Sequence, residues 1–240
     1  DAFDVKRAGD NARVLIEEKK VVALFLSRGT PHSQAIVPWL DRHEVALIAP
    51  STGAMVLHRP VQKHVFNVRS TYQREAEKAV QHLLTTGISR IAVVHVTDSF
   101  GLDALEGAMT GFGKGQAKPT VTLPADRDKP DYPALVAGIK QADAQAVLWI
   151  GSGTVVVEGI KALRAAGSAA QVVALSNNAS SGFVKQLGDA SKGVIVTQVF
   201  PNERSISYPM VKEALSLARA KGQTELSPGA LEGFAAAKVL

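Results

Sequence analysis

The residues that could do chemistry fall into a few small groups, and most of them lack the spacing that catalysis needs. Gly151-Ser152-Gly153 stands after an apolar run and before a helical one, where a dinucleotide-binding turn would lie. The third glycine of that fingerprint is replaced by Val156, and no acidic residue closes the next run near Leu175. No glycine-rich turn is followed by the Lys-Ser or Lys-Thr pair of a phosphate-cradling loop. The histidines His32, His43, His58, His64, His82 and His95 do not fall at the short spacings that build a zinc site with nearby carboxylates. A hydrolytic serine would sit in a Gly-x-Ser-x-Gly elbow, which is absent, and Ser152 comes closest to it. His95 with Asp98, at the end of a strand-like run, reads either as a catalytic pair or as a loop-lining pair at a ligand cleft, and the second reading is favoured. Gly111, Gly113 and Gly115 follow a helical run and precede an extended one, the wrong order for an anion-binding helix start; they read as a helix terminus and flexible turn.

What remains is a set of small polar residues just past the ends of strand-like runs: Thr30, Ser51 to Gly53, Asp98 to Phe100, Gly151 with Ser152, and Ser176 with Asn177. In an open parallel sheet, ligands bind outside the carboxyl ends of the strands. Hydroxyls and open backbone N–H groups there suit an anion such as a carboxylate. The competing explanation is helix capping, since Ser, Thr, Asp and Asn favour N-caps in any protein. One such residue would be a cap; several converging on one crevice favour binding.

The elements that must position these residues alternate regularly. Val21 to Leu26, Val45 to Ala49, Ile91 to Val96, Ala146 to Ile150, Val172 to Leu175 and Val194 to Val199 are apolar runs that read as buried parallel strands. Val5 to Glu18, Ser33 to Arg42, Thr71 to Thr86, Gly101 to Phe112, Tyr132 to Ala142, Thr154 to Ala166 and Ser207 to Ala220 carry one apolar stripe each and read as helices. Gly87, Gly167 and Gly222 stand where a helix ends in a left-handed residue. This is a series of βαβ units, hence an α/β protein with parallel sheets covered by helices on both faces. Val65 to Ser70 and Gln198 to Tyr208 break the pattern; the first reads as a strand that leaves one sheet for another, and both as crossings between lobes.

Composition agrees with a folded binding domain and narrows its class. The 240 residues, 46 % hydrophobic and 20 % charged, suffice for two lobes of roughly 100 to 130 residues that each bury a core. No run approaches the roughly 18 apolar residues of a membrane-spanning helix, and no secretion-signal pattern opens the chain at Asp1. The absence of cysteine excludes disulfides and thiolate chemistry. A net charge of +5 admits nucleic acid, but the basic residues are dispersed and not interleaved with aromatics, which favours a solvated basic surface.

A family resemblance is carried by particular words in order. Asp1-Ala2-Phe3-Asp4-Val5-Lys6-Arg7, Asn11 to Glu18, Val22 to Phe25, Gly29-Thr30 and Leu47 to Ala54 open it. Phe66 to Arg69, Arg90 to Val94, Phe100-Gly101, Ala165 to Gly167 and Gly193 to Gln198 continue it. Together they resemble the branched-chain amino-acid (Leu/Ile/Val) binding family, the type I periplasmic solute-binding proteins of ABC importers. The resemblance implies a two-lobed fold, with lobe 1 formed by residues 1–72 and a return segment 200–240, and lobe 2 by 73–199. It places the hinge near Ser70 to Gln73 and Gln198 to Pro201.

By that resemblance the Thr30 hydroxyl and N–H and the Gly53 N–H grip a ligand carboxylate, with Thr52 in the same loop, and the Ser51 carbonyl accepts from a ligand ammonium. Phe100 would be an aromatic wall of lobe 2, and Ser152 and Ser176 would close over the ligand. Lobe closure would then be what a membrane permease recognises. No enzyme activity, cofactor, metal or nucleic-acid partner is expected, and the location is periplasmic. Ser176 departs from the family, which commonly has an acidic residue there to neutralise the ammonium. A buried ammonium without a counter-charge costs several kcal/mol, so the expected ligand is a carboxylate lacking the amine, an aromatic or keto acid, with amino acids second. The family also has a strand and helix before the position of Asp1 and further elements past Leu240, so the sequence is expected to be an internal part of a longer protein, with a gap or open edge in the first sheet. The rival class on the same architecture is the ligand-sensing domain of a transcription regulator or receptor.

Overall fold

The computed structural model describes residues 2–240; Asp1, where the resembling stretch begins, lies outside the described residues. The chain divides into two compact units, one holding the described residues up to Thr71 together with Phe200–Leu240, the other Tyr72–Val199.

The first unit opens with α1 (Val5–Arg13), whose N-terminus is capped by Asp4, accepting from the Arg7 N–H at 2.8 Å. Helical winding continues through a wider turn over Val14–Glu18, so the expected helix Val5 to Glu18 holds end to end. β1 (Ala23–Phe25), α2 (Thr30–His43), β2 (Ala46–Ile48) and β3 (Val65–Phe66) follow. The strands pair in parallel in the order β1-β2-β3, with Phe25 opposite Ile48 and Leu47 opposite Val65. β3 therefore stays in this sheet and does not leave it for another, a correction to the reading of Val65 to Ser70. β1 is shorter than expected because Val22 is 92 % exposed and Leu26 turns into the left-handed region. One face of the sheet buries Leu47 and Val65 against Ala12, Ile16 and Leu40 of the helices.

The second unit alternates without interruption. Its elements are α3 (Tyr72–Thr85), β4 (Ile91–Val96), α4 (Ser99–Lys114), β5 (Val121–Ala125), α5 (Tyr132–Gln141), β6 (Ala146–Ile150), α6 (Thr154–Ala165), β7 (Gln171–Ala174), α7 (Ser181–Leu187) and β8 (Val194–Val196). All five strands are parallel, in the order β5-β4-β6-β7-β8. Every residue of β4 and β6 is buried, which is why β6 is a continuous apolar run and β4 is one but for His95: helices cover the two faces of a parallel sheet. β5 was not foreseen. It alternates exposure and carries Pro124, features of an edge strand, where a missing N–H needs no partner.

Helices α3 and α4 approach closely because α4 offers glycines to α3. A Cβ on Gly107 would stand 2.2 Å from the Gln73 carbonyl oxygen, and one on Gly111 2.8 Å from that of Glu77. Gly111 and Gly113 thus lie inside the helix, and the helix terminus expected of that cluster falls at Gly115. Gly87, Gly167 and Gly222 do take the left-handed conformation. Across the same helix pair Lys114 Nζ donates to Glu77 Oε1 at 2.8 Å; this bond, with the charges of Lys114 and Arg74, holds the Glu77 carboxyl below its usual range against some desolvation. A lowered native pKa favours folding only while the carboxylate is ionised, so the contribution is present above the unfolded-state pKa and lost as pH falls through the lower native value. Lys114 is half exposed, which limits the contribution to about 1 kcal/mol at most. Lys114→Met is expected to lower the urea midpoint at neutral pH and to leave it unchanged near pH 3; an equal shift at both would refute the ion-pair origin.

The chain returns to the first unit through α8 (Pro209–Ala220) and α9 (Pro228–Ala237). Val211, Ala214 and Leu231 form a small core with Phe200 and Phe234. Ala236 of α9 packs on Ile48 and Ala49, covering the second face of the first sheet. Arg69 Nη1 donates to Glu232 Oε1 at 3.4 Å and ties α9 to the segment after β3. Among the described residues no helix is long and apolar enough to cross a membrane.

Candidate functional site

Of the polar residues at the strand ends, one is a helix cap. Asp98 is the N-cap of α4, its Oδ1 accepting from the N–H groups of Phe100 (3.1 Å) and Gly101 (3.0 Å). The others are not helix caps: the N-cap of α2 is Gly29, that of α6 is Gly153, and the short turns at Met55–Leu57 and Ser176–Asn178 are preceded by Ala54 and Leu175. Capping therefore does not explain Thr30, Ser51, Thr52, Ser152 or Ser176.

In the first unit the loops after β1 and β2 are joined directly. Thr30 and Thr52, both buried, share a hydrogen bond of 2.7 Å between their hydroxyls. Ser51 N–H donates to the Ser27 carbonyl at 2.7 Å, extending the parallel pairing of the two strands past their ends. Gly53 is buried beside them. Gly29 enters α2 at φ 93°, and a side chain on it would meet the His32 ring, so this turn needs glycine. Thr30, as the first residue of α2, has an N–H without an intrahelical acceptor. The Thr30–Thr52 pair thus satisfies two polar groups that would be costly to bury alone.

In the second unit Phe100 and Ser152 are linked through a residue the sequence reading did not single out. Arg127, in the loop after β5, donates Nε to Asp98 Oδ2 at 2.5 Å and Nη1 to Ser152 Oγ at 3.0 Å, while its Nη2 also meets the Asp98 carboxylate. Its guanidinium lies 5.9 Å from the centre of the Phe100 ring, a cation–π contact. Phe100 is buried and packs edge-on against Tyr72 at 4.7 Å. His95 Nδ1 lies 3.0 Å from the Val96 carbonyl, while the Asp98 carboxylate is held by Arg127. The turn Gly151–Gly153 is held by Asn178, which accepts from the Gly153 N–H and donates to the Gly151 carbonyl, each at 3.0 Å. Asn177 donates to the same carbonyl at 3.0 Å. The Gly153 N–H, a donor that a dinucleotide fingerprint would offer to phosphate, is thus occupied within the protein.

Ser176 is backed by an acid from another element. Glu75, in the first turn of α3 and 6 % exposed, accepts from the Ser176 hydroxyl at 2.8 Å on Oε1. Its Oε2 accepts from the Ser176 N–H at 3.0 Å and the Thr197 hydroxyl at 2.6 Å. Such bonds to a carboxylate are roughly twice as strong as neutral ones, and the acid lies at the helix end that favours it. The premise that Ser176 stands without a carboxylate holds for its position in the chain and not for its surroundings. Glu75 had a sequence signal: it falls on the buried stripe with Tyr72, Ala76, Ala79 and Leu83, where an acid is rare unless paired. Arg127 had none, because the strand before it was itself unforeseen.

A family model described as periplasmic binding protein matches residues 1–240. No curated protein matches the chain in sequence. Among solved structures the chain is similar to a substrate-binding periplasmic protein from Ralstonia solanacearum, at 27 % identity and TM-score 0.86, covering 100 % of this chain and 69 % of that one. It is similar in fold to a possible leucine/isoleucine/valine-binding protein from Rhodopirellula baltica, at 24 % identity and TM-score 0.90, covering 100 % of this chain and 66 % of that one. It is also similar in fold to an ABC-transporter solute-binding protein from R. palustris in complex with benzoate, at 16 % identity and TM-score 0.86, covering 99 % of this chain and 65 % of that one. The chain thus spans about two thirds of the length of each of these three proteins.

Proposed function

This chain belongs to the periplasmic binding protein family, and from that membership we propose that it captures a small carboxylate-bearing solute outside the cytoplasm for delivery to an ABC importer, by binding and not by catalysis. Its fold is the type I arrangement of helix-flanked parallel sheets that the sequence led one to expect. The observation that carries the proposal is the buried Thr30–Thr52 hydroxyl pair at the carboxyl ends of β1 and β2, where capping has no part and where an open α/β sheet binds its ligands.

In this reading the Thr30 hydroxyl and N–H and the Gly53 N–H hold the carboxylate, and the Ser51 carbonyl faces a ligand donor. Phe100, Ser152 and Ser176 are the proposed ligand-contacting residues of the second unit. The ligand is an amino acid or a related keto or aromatic acid; the benzoate complex of the R. palustris protein supports an aromatic acid only by analogy of fold. Residues 1–72 with 200–240, and 73–199, serve as the two lobes, and differential contacts in the liganded state drive the change a permease would read.

Calorimetric titration of the purified protein with leucine, valine, their matched keto acids and benzoate tests the proposal. At least one should bind with Kd near about 1 μM. Thr52→Val should weaken it roughly 10-fold or more by leaving the Thr30 hydroxyl without its partner. No binding tighter than about 1 mM across the panel would sink the proposal.

A further inference from the structure

We propose that Glu75 is a positioning residue that fixes Ser176 as a hydrogen-bond acceptor toward the ligand, and so selects ligands that bring an N–H or O–H donor to that place. The inference rests on the reading of Ser176 as a ligand contact and reverses the preference drawn from Ser176 alone.

The argument is one of hydrogen-bond direction. A carboxylate can only accept. Glu75 receives the Ser176 hydroxyl proton on Oε1, and the Ser176 N–H and the Thr197 hydroxyl on Oε2. With its proton committed to Glu75, the Ser176 oxygen has only lone pairs to present. The acid behind it polarises the O–H bond and strengthens that acceptor. Ser152 is set in the opposite sense. Its oxygen accepts from Arg127 Nη1, which leaves its proton for an acceptor such as a carboxylate or carbonyl oxygen. The second unit therefore carries one serine of each polarity, each fixed by a charged residue from a different element.

Glu75→Gln reverses one of them without changing size. The Ser176 N–H cannot turn round, so the glutamine oxygen must stay in the place of Oε2. The new NH2 then takes the place of Oε1, facing the Ser176 hydroxyl. Ser176 must accept from it and turn its own proton outward. A ligand amine then meets an O–H in place of one of the two lone pairs open to it before, and a keto oxygen in the same place gains a donor.

The test compares leucine with its matched keto acid, 4-methyl-2-oxopentanoate, by calorimetry on the wild type, Glu75→Gln and Ser176→Ala. The wild type is expected to prefer leucine. Glu75→Gln should shift the affinity ratio toward the keto acid by about tenfold or more, chiefly through lost leucine affinity. A residue that merely supports the fold would weaken both ligands alike, and that result, or an unchanged ratio, overturns the proposal. If Glu75→Gln does not fold, Ser176→Ala decides: the leucine preference should collapse, and its persistence overturns the proposal. If the wild type binds neither ligand, the solute-capture reading stands or falls separately, on the full panel of solutes. A double-mutant cycle on urea unfolding of the ligand-free protein then decides whether Glu75 holds Ser176: non-additivity upholds it and additivity overturns it.

Discussion

Trp149→Ala is expected to destabilise the second unit by about 3–5 kcal/mol. Trp149 is 2 % exposed, in the middle of the central strand β6, between Val94 of β4 and Ala174 of β7. Its indole lies so close to α6 that a Cβ on Gly159 would stand 2.2 Å from the ring. Alanine leaves a cavity that rigid strands on both sides cannot close, which adds to the lost transfer energy. Guanidinium unfolding followed by circular dichroism should show a lower midpoint with an unchanged slope. Trp39, the other tryptophan, belongs to the first unit. In Trp149→Ala its fluorescence becomes a reporter of that unit alone and shows whether the damage stays local. An unchanged midpoint would mean that the sheet is not as tightly filled as its burial implies.

Gly107→Ala should destabilise by about 1–3 kcal/mol or more, even though alanine is the better helix former by about 1 kcal/mol. The decisive quantity is the 2.2 Å between the added methyl and the Gln73 carbonyl oxygen. The obstacle is backbone and cannot rotate away, so α3 must shift, and with it Glu75, two residues past Gln73. Gly113→Ala, in the same helix but with nothing within 4 Å of the new methyl, should instead stabilise by about 0.5–1 kcal/mol. Opposite signs from one substitution at two positions of one helix would isolate interhelical contact as the cause. Two losses of equal size would refute it.

The central strands were legible in the sequence because burial on both faces writes itself as an apolar run, broken in these two only by His95: Ile91–Val96 and Ala146–Ile150 fall where the pattern put them. β5 was not legible, since Val121–Ala125 is half exposed and contains proline, which argues against a central strand and says little about an edge. α9 was missed because its small residues, Ala235, Ala236 and Ala237, give a weak apolar stripe. At the site, strand-end hydroxyls could be listed from composition and order alone. What the sequence hid was pairing at long range: 22 positions separate Thr30 from Thr52, 25 separate Arg127 from Ser152 and 101 separate Glu75 from Ser176. No local spacing encodes such partners. The polarity of each serine depends on them.

Pro124 bears on the behaviour of the protein at high concentration. An outermost strand normally offers a row of free amide groups to which another chain can add itself. In β5 that row is broken by a residue with no amide hydrogen, on a strand only five residues long. A second molecule has too short and too interrupted a template to extend the sheet, so this rim resists self-association without needing a cover.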